Sequence, residues 1–192
     1  AQAQAAAAEV ISLPFNLGIG GAVQTGFLYA QQGGYDFALQ VDSDGQHDPA
    51  FIQTILAPLE CDEADIVVGS RFIPPFHGYR SSFVRRIGIH FFAHLISFLT
   101  GYKITDSTSG FRAFNRKAIE IFAQSYPTDF PEPESIVIAK RFGLRLVEVP
   151  VEMRKRLIGH SSIRYLRTLY YMLKVTFAIL LNMIKTKKDK RK

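Results

Sequence analysis

Asp42, Asp44 and Gln46 set three oxygen-bearing side chains at alternate positions of the segment VDSDGQHDP. Side chains two apart on an extended backbone share a face, so these three could present a row of hard oxygen ligands. Mg²⁺ or Mn²⁺ takes a few oxygens from protein and completes its shell with water or phosphate. A solvated, Asx-rich turn would give the same spacing, and the residues alone leave both readings open. His47 is read as a supporting or exposed residue rather than a ligand, because hard cations favour oxygen. Asp48 and Pro49 follow another logic, that of a helix cap and a first helical position.

Other clusters could act on anions. Gly69-Ser70-Arg71 could hold a phosphate through the guanidinium, or Arg71 could be an ordinary exposed arginine. Asp106-Ser107-Thr108-Ser109-Gly110-Phe111-Arg112 combines a carboxylate, hydroxyls, a turn glycine and an arginine. Asp106 could serve as a general base or orient an acceptor; the plain alternative is a capped turn with a structural Asp–Arg pair. Glu132 and Glu134, in Pro131-Glu132-Pro133-Glu134, suit the positive end of a helix dipole. Arg154, Arg156, Gly159, His160, Ser161 and Ser162 form a basic, glycine-hinged loop that could close over phosphates. Asn16 to Gly21 nearly imitates a dinucleotide fingerprint, but Val23 stands where a third small residue is needed, which excludes that assignment. The glycines still permit close backbone approach at a helix N-terminus.

The elements that position these groups read as alternating strands and helices. Strands are expected at Val10–Leu13, Phe37–Val41, Asp65–Gly69 and Leu144–Val151, each a short apolar run bounded by turn residues. Helices are expected at Gly20–Gln32, at Pro49–Leu59 and from Pro131 onward, and AQAQAAAAEV reads as the end of an alanine-rich helix. Alternation of this kind argues for an α/β fold with a mostly parallel sheet. Ligands of such sheets bind beyond the carboxyl ends of the strands, where Asp42 lies. Two apolar helices stand apart, Ser82–Thr100 and Tyr165–Lys185. Each suits a core helix or dimer face, or a helix lying on a membrane; Lys174 in the middle of the second disfavours a full span.

The chain has 192 residues, 47% of them hydrophobic, enough for one sizeable core. A single cysteine, Cys61, excludes an internal disulfide framework. The formal charge of +6 is concentrated in KTKKDKRK at the end, which leaves the body nearly neutral. No basic-aromatic interleaving accompanies that tail, so nucleic acid is not the expected partner. An apolar helix followed by lysines better matches an anionic membrane surface.

In order along the chain, NLGIGGAVQTG, DSDGQHDP, ADIVVGSRF, DSTSGFRAF, PEPES, EVPVEMRKR and GHSSI resemble the family-two glycosyltransferases of the dolichyl-phosphate mannose synthase-like branch. The match runs from about Leu13 to Lys174. It implies a GT-A fold, a nucleotide-sugar donor, and Mg²⁺ or Mn²⁺ held by Asp42, Asp44 and Gln46. It implies catalytic roles for Asp106 and Asp44. Asn16, Gly18, Arg71, Arg112, Glu134, Arg156 and Ser161 are the implied substrate-binding set. Ser162 stands where family members usually carry Lys. The family's opening strand and acidic turn, which hold the nucleotide base, have no counterpart, so sequence upstream of Ala1 is expected. The implied organisation is an N-terminally incomplete catalytic domain over 1–164, then a helix and polybasic tail over 165–192.

The implied reaction moves a sugar from a UDP- or GDP-sugar to a polyprenyl phosphate with inversion. The enzyme is expected to be cytoplasmic, peripheral on the inner face of the cell membrane, with homo-oligomerisation through the apolar helices as an option. A glycan or polymer hydroxyl is the alternative acceptor, and a non-catalytic membrane-associated scaffold is the alternative from another class.

Overall fold

Among the described residues four strands of at most five residues carry the fold: β1 (Phe37–Gln40), β2 (Ile66–Ser70), β3 (Arg112–Asn115) and β4 (Leu146–Pro150). The structure, a computed structural model, describes residues 2–74, 83–154, 174, 176 and 177. The strand order is β1-β3-β2-β4. β3 runs antiparallel to both neighbours, while β2 and β4 are parallel. β1, β2 and β4 therefore point one way and β3 alone is reversed. The reversal has a direct consequence for the site. The entry to β3 emerges at the same sheet edge as the exits of the other three strands.

The helices are α1 (Gln2–Ala5), α2 (Gly18–Gln32), α3 (Ile52–Glu60, after a 3₁₀ turn over Pro49–Phe51), α4 (Phe83–Thr100), α5 (Arg116–Gln124) and α6 (Pro131–Arg141). Successive strand residues face opposite sides. Ile66, Val68 and Phe114 accordingly join Phe27 of α2 and Phe122 of α5 on one face. Val67 and Ala113 join Ile55 and Leu59 of α3 on the other. Phe27 meets Phe114 edge-on, with ring centroids 4.8 Å apart, a favoured aromatic geometry. α4 lays Phe92, Ala93 and Ile96 against Ile136 and Val137 of α6, so the expectation of a core helix holds for that face. Its other face exposes Ile87, Phe91 and Phe98. Among the described residues no helix is long and apolar enough to cross a membrane.

Some expected elements differ. Val10–Leu13 forms no strand, and Val10 and Ile11 are 44% and 48% exposed. An isolated apolar run has no ladder to satisfy its backbone groups, and no described strand lies beside it. β3 follows directly on a polar turn motif and its four residues are too few to carry a period. α5 went unread although Asn115 caps it and Ala118, Ile119, Phe122 and Ala123 form its buried face. Tyr165–Lys185 and the tail lie outside the described residues apart from Lys174, Thr176 and Phe177.

At the edge opposite the site, Asp65 ties strand ends together. Its carboxylate accepts from the Arg145 backbone N–H at 2.7 Å and from Asn115 Nδ2 at 2.9 Å, with Lys117 Nζ at 3.5 Å. Burial alone would raise its pKa, but the bonds from Arg145 and Asn115 and the Lys117 charge outweigh it and hold the group at about 2. A depressed carboxylate stabilises the fold above its unfolded pKa of about 3.9 and loses that contribution as pH falls through its folded value. Asp65→Asn should cost on the order of 2 kcal/mol at pH 7, the scale of a hydrogen bond to a charged group. Urea unfolding at pH 7 and between pH 4 and 2 checks this: the gap between wild type and variant should narrow on acidification.

Candidate functional site

The segment after β1 folds back on itself through its own polar groups. The Asp42 N–H donates to His47 Nδ1 at 2.9 Å, and the Gln46 N–H donates to Asp44 Oδ1 at 2.9 Å. Asp48 caps the next turn by accepting from the Ala50 N–H at 3.1 Å, as its place before Pro49 suggests. Arg154, beyond β4, donates to Asp48 Oδ2 at 2.7 Å and its N–H to the Gln46 carbonyl at 2.8 Å. His47 is buried and stacks on Phe111, with centroids 4.7 Å apart and planes 8° from parallel. Burial lowers its pKa despite the nearby Asp42 and Asp44 charges, which suits a neutral ring accepting through Nδ1. The expectation of a supporting role fits; exposure does not.

The loop leading into β3 packs against this segment. A Cβ on Gly110 would lie 3.0 Å from Asp42 Oδ2 and 3.2 Å from Oδ1, so only glycine leaves the carboxylate its present place. Asp42 itself keeps 44% of its side chain exposed. Among the described residues, no three or more His, Cys, Asp or Glu gather as a metal cluster. Ser43 to Gly45 form a turn rather than the extended run expected, with Asp44 Oδ1 engaged by the Gln46 N–H. The Asp42 carboxylate has the chemistry of a hard-cation ligand whose other partners are water or phosphate. The exposed Asp42 carboxylate in its Gly110 cradle is the observation that supports the fit.

From the sequence, Asp106 is open to three readings: a general base, a group that orients an acceptor, or half of a structural Asp–Arg pair. It is fully buried and forms a two-pronged pair with Arg71, Nε to Oδ2 at 2.6 Å and Nη2 to Oδ1 at 2.7 Å. Thr108 Oγ1 adds a bond to Oδ1 at 3.2 Å. Burial works against the Arg71 charge, but the Asp106 carboxylate outweighs it and raises the arginine's pKa. A structural Asp–Arg pair is thus present, with Arg71 rather than Arg112 as the partner. Arg112 is also buried. It donates to the carbonyls of Ser109 at 2.7 Å and Ser107 at 3.3 Å and to Ser135 Oγ at 2.7 Å. Two bonds to the turn and one to α6 brace the one against the other.

Glu134 is buried in the first turn of α6. Beside it, Glu132 has its pKa raised by burial, opposed by Arg112 and reinforced by Asp42. Tyr126 is likewise pushed up by burial and feels Arg112, Glu132 and Asp42. Asn16 Oδ1 accepts from the Gly18 N–H at 2.9 Å at the start of α2. Two residues on, a Cβ on Gly20 would lie 2.2 Å from the Pro127 carbonyl oxygen, so that helix start abuts the loop after Tyr126. Arg156, Ser161 and Ser162 lie outside the described residues.

The sequence reading missed Glu148. On β4 its carboxylate accepts from the Thr105 N–H at 2.8 Å, Thr105 Oγ1 at 2.6 Å and the Asp106 N–H at 2.9 Å. Burial raises its pKa against these bonds. The available signal was one acidic residue inside the apolar run Leu146-Val147-Glu148-Val149.

Residues 1–122 match the family described as glycosyl transferase family 2. The chain belongs to that family. It is 34% identical over 139 residues to the UDP-N-acetylglucosamine–dolichyl-phosphate N-acetylglucosaminyltransferase of Methanococcus voltae, covering 71% of this chain and 55% of the relative. It is 31% identical to the polyprenol monophosphomannose synthase of Mycolicibacterium smegmatis, covering 76% and 56%. The undecaprenyl-phosphate mannosyltransferase of Micrococcus luteus is 29% identical, with 76% and 60% covered. The chain thus spans a little over half the length of these three relatives. Glucosyl-3-phosphoglycerate synthase from Mycobacterium tuberculosis, solved with phosphoglyceric acid, superposes with a TM-score of 0.69 at 20% identity, over 95% of this chain and 63% of that one. That likeness shows the fold: α/β, GT-A-like, with a mixed four-stranded sheet here.

Family membership makes the buried Asp106–Arg71 pair a testable distinction. Removing one partner of a buried pair leaves the other uncompensated and costs about 3–5 kcal/mol. Asp106→Ala should show a loss on that scale in urea unfolding, whereas a solvent-facing catalytic base would leave stability nearly unchanged.

Proposed function

We propose that this family-two glycosyltransferase moves a sugar from a nucleotide-diphosphate sugar to a polyprenyl phosphate, with inversion and with dependence on a divalent cation. The carrying observation is the meeting of the Asp42 carboxylate with Gly110 at the edge where β1, β2 and β4 end and β3 begins. Three polyprenyl- or dolichyl-phosphate transferases among the relatives support the acceptor class. A neighbour solved with UDP, at a TM-score of 0.65 and 19% identity, is in keeping with a nucleotide donor.

Asp42, Asp44 and Gln46 would hold Mg²⁺ or Mn²⁺, which supplies positive charge opposite a leaving diphosphate. A phosphate acceptor is already anionic near neutral pH, so little base catalysis is required of the protein. Asp106, walled off behind Arg71, then serves to orient the arginine rather than to take a proton. Arg71 keeps part of its surface open and is the proposed phosphate contact. Asn16 and Gly18, at the start of α2, and Glu134, on α6, remain proposed substrate-side positions. Ile87, Phe91, His94 and Phe98 line up on the exposed face of α4, since positions four, seven and eleven apart share a helix face. That stripe supports a peripheral attachment to the cytoplasmic face of a membrane, beside a lipid-borne acceptor.

Two substitutions test the reading. Asp42→Ala should lower Mn²⁺-dependent transfer to polyprenyl phosphate about 100-fold or more, as loss of a principal charge-stabilising group does. Thin-layer separation of products measures it, and undiminished transfer would sink the assignment. Gly110→Ala should push the Asp42 carboxylate aside and weaken Mn²⁺-supported UDP or GDP binding about tenfold, the equivalent of one lost charge-assisted contact. Calorimetric titration with and without EDTA checks that outcome.

A further inference from the structure

We infer that Glu148 is a positioning residue that aims the Arg71 guanidinium at the site edge, acting through two hydrogen-bonded routes that leave β4 and meet on either side of Arg71. The inference rests on the proposed phosphate role of Arg71 for its consequence, though not for its geometry.

The first route runs through backbone. Glu148 Oε1 accepts from the Asp106 N–H at 2.9 Å, and the Asp106 side chain grips Arg71 at 2.6 and 2.7 Å. The Arg71 N–H also reaches Asp106 Oδ2, at 3.3 Å. Displacing the Asp106 backbone therefore displaces the carboxylate that grips the arginine.

The second route has a fixed direction. Thr105 Oγ1 lies 2.6 Å from Glu148 Oε2 and 2.6 Å from Ser70 Oγ. An ionised carboxylate only accepts, so the single Thr105 hydroxyl proton points to Glu148. Ser70 must then donate to Thr105. Its lone pair accepts from the Phe72 N–H at 3.1 Å. The chain of donors runs from the residue after Arg71, through Ser70 and Thr105, to Glu148. Ser70 is fully buried and its carbonyl accepts from the Val151 N–H at 3.0 Å, which fixes it to the strand that carries Glu148.

Glu148 therefore organises residues on both sides of Arg71 while lying behind it. A carboxylate is required chemically. Three donors converge on it, and two are backbone N–H groups that cannot reverse. Glutamine has one acceptor oxygen. Placed toward Thr105, that oxygen leaves an NH₂ facing the Asp106 N–H, donor against donor. Placed toward Asp106, it leaves the same conflict at Thr105.

Arginine labelling by phenylglyoxal, read by peptide mass spectrometry on the folded full chain, tests the inference without any assay of transfer. Wild-type Arg71, held by Asp106, should label slowly. Glu148→Gln should speed labelling at Arg71 about tenfold, the effect of losing one hydrogen bond to a charged group, with Arg116 and Arg141 unchanged as internal references. Thr105→Val, which cuts only the hydroxyl route, should give a smaller increase and serves where the glutamine variant fails to fold. Unchanged Arg71 labelling in either folded variant overturns the inference. A second readout joins it to function. The rise in donor or acceptor KM in Glu148→Gln should vanish in an Arg71→Ala background, because groups acting through one another are non-additive. Additive effects would show a merely structural role. If Arg71 labels faster in Glu148→Gln but no KM moves, the phosphate role of Arg71 fails and the positioning by Glu148 stands.

Discussion

A carboxylate removed wholly from water must be matched by charge and by donors, and Asp106 is matched by Arg71. Much of the site's architecture follows from meeting that requirement. The guanidinium has to leave the end of β2, and the carboxylate has to arrive from the loop before β3. Both can reach one place only because β3 is reversed in the sheet. With β3 parallel to its neighbours, its entry loop would open at the opposite edge, beside Asp65. The odd strand is therefore what makes a site of two distant segments.

The same edge is bound from below by two charged groups, Arg112 fully buried and Glu148 partly so. Arg112 holds the carbonyls of Ser107 and Ser109 and reaches Ser135 on α6. Glu148 holds the amides of Thr105 and Asp106 from β4. The turn between them is fixed by a cation on its carbonyl side and an anion on its amide side. Each is satisfied by backbone dipoles of opposite sense, and buried charges are tolerated on such terms. Gly110 is then delivered against Asp42 from a rigid support, and His47 on Phe111 braces the other loop.

Much of this was legible in the sequence. Asp48-Pro49 announced its cap, and Phe37, Ile66 and Leu146 fall within strands expected from short apolar runs. Asp42, Arg71, Asp106 and Gly110, which meet at the edge, all lie in the quoted motifs. The partners were not legible. Arg71 and Asp106 lie 35 positions apart, and Arg112, six residues from Asp106, seemed the natural counterion. Local spacing favours near neighbours, whereas the sheet selects partners by which strand ends share an edge. β3 escaped notice for a related reason. Its residues are paired with strands on both sides and three of the four are buried, so Arg112 sits within a strand for its contacts and not for any propensity. Val10–Leu13 is the converse case, a strand-like run with no described neighbour to pair with.

Arg71 connects the buried scaffold to the exposed edge. An arginine free in solvent would spread over many rotamers and lose entropy on meeting a phosphate. Here two guanidinium nitrogens are already bonded to Asp106, and Nη2 is also within 2.9 Å of Thr108 Oγ1. The side chain is therefore fixed before any ligand arrives, with a small part of its surface left open. The cost of ordering it is met during folding rather than binding, which is the physical meaning of preorganisation. A carboxylate with no contact to a reacting group can influence transfer in this way, by holding the group that does.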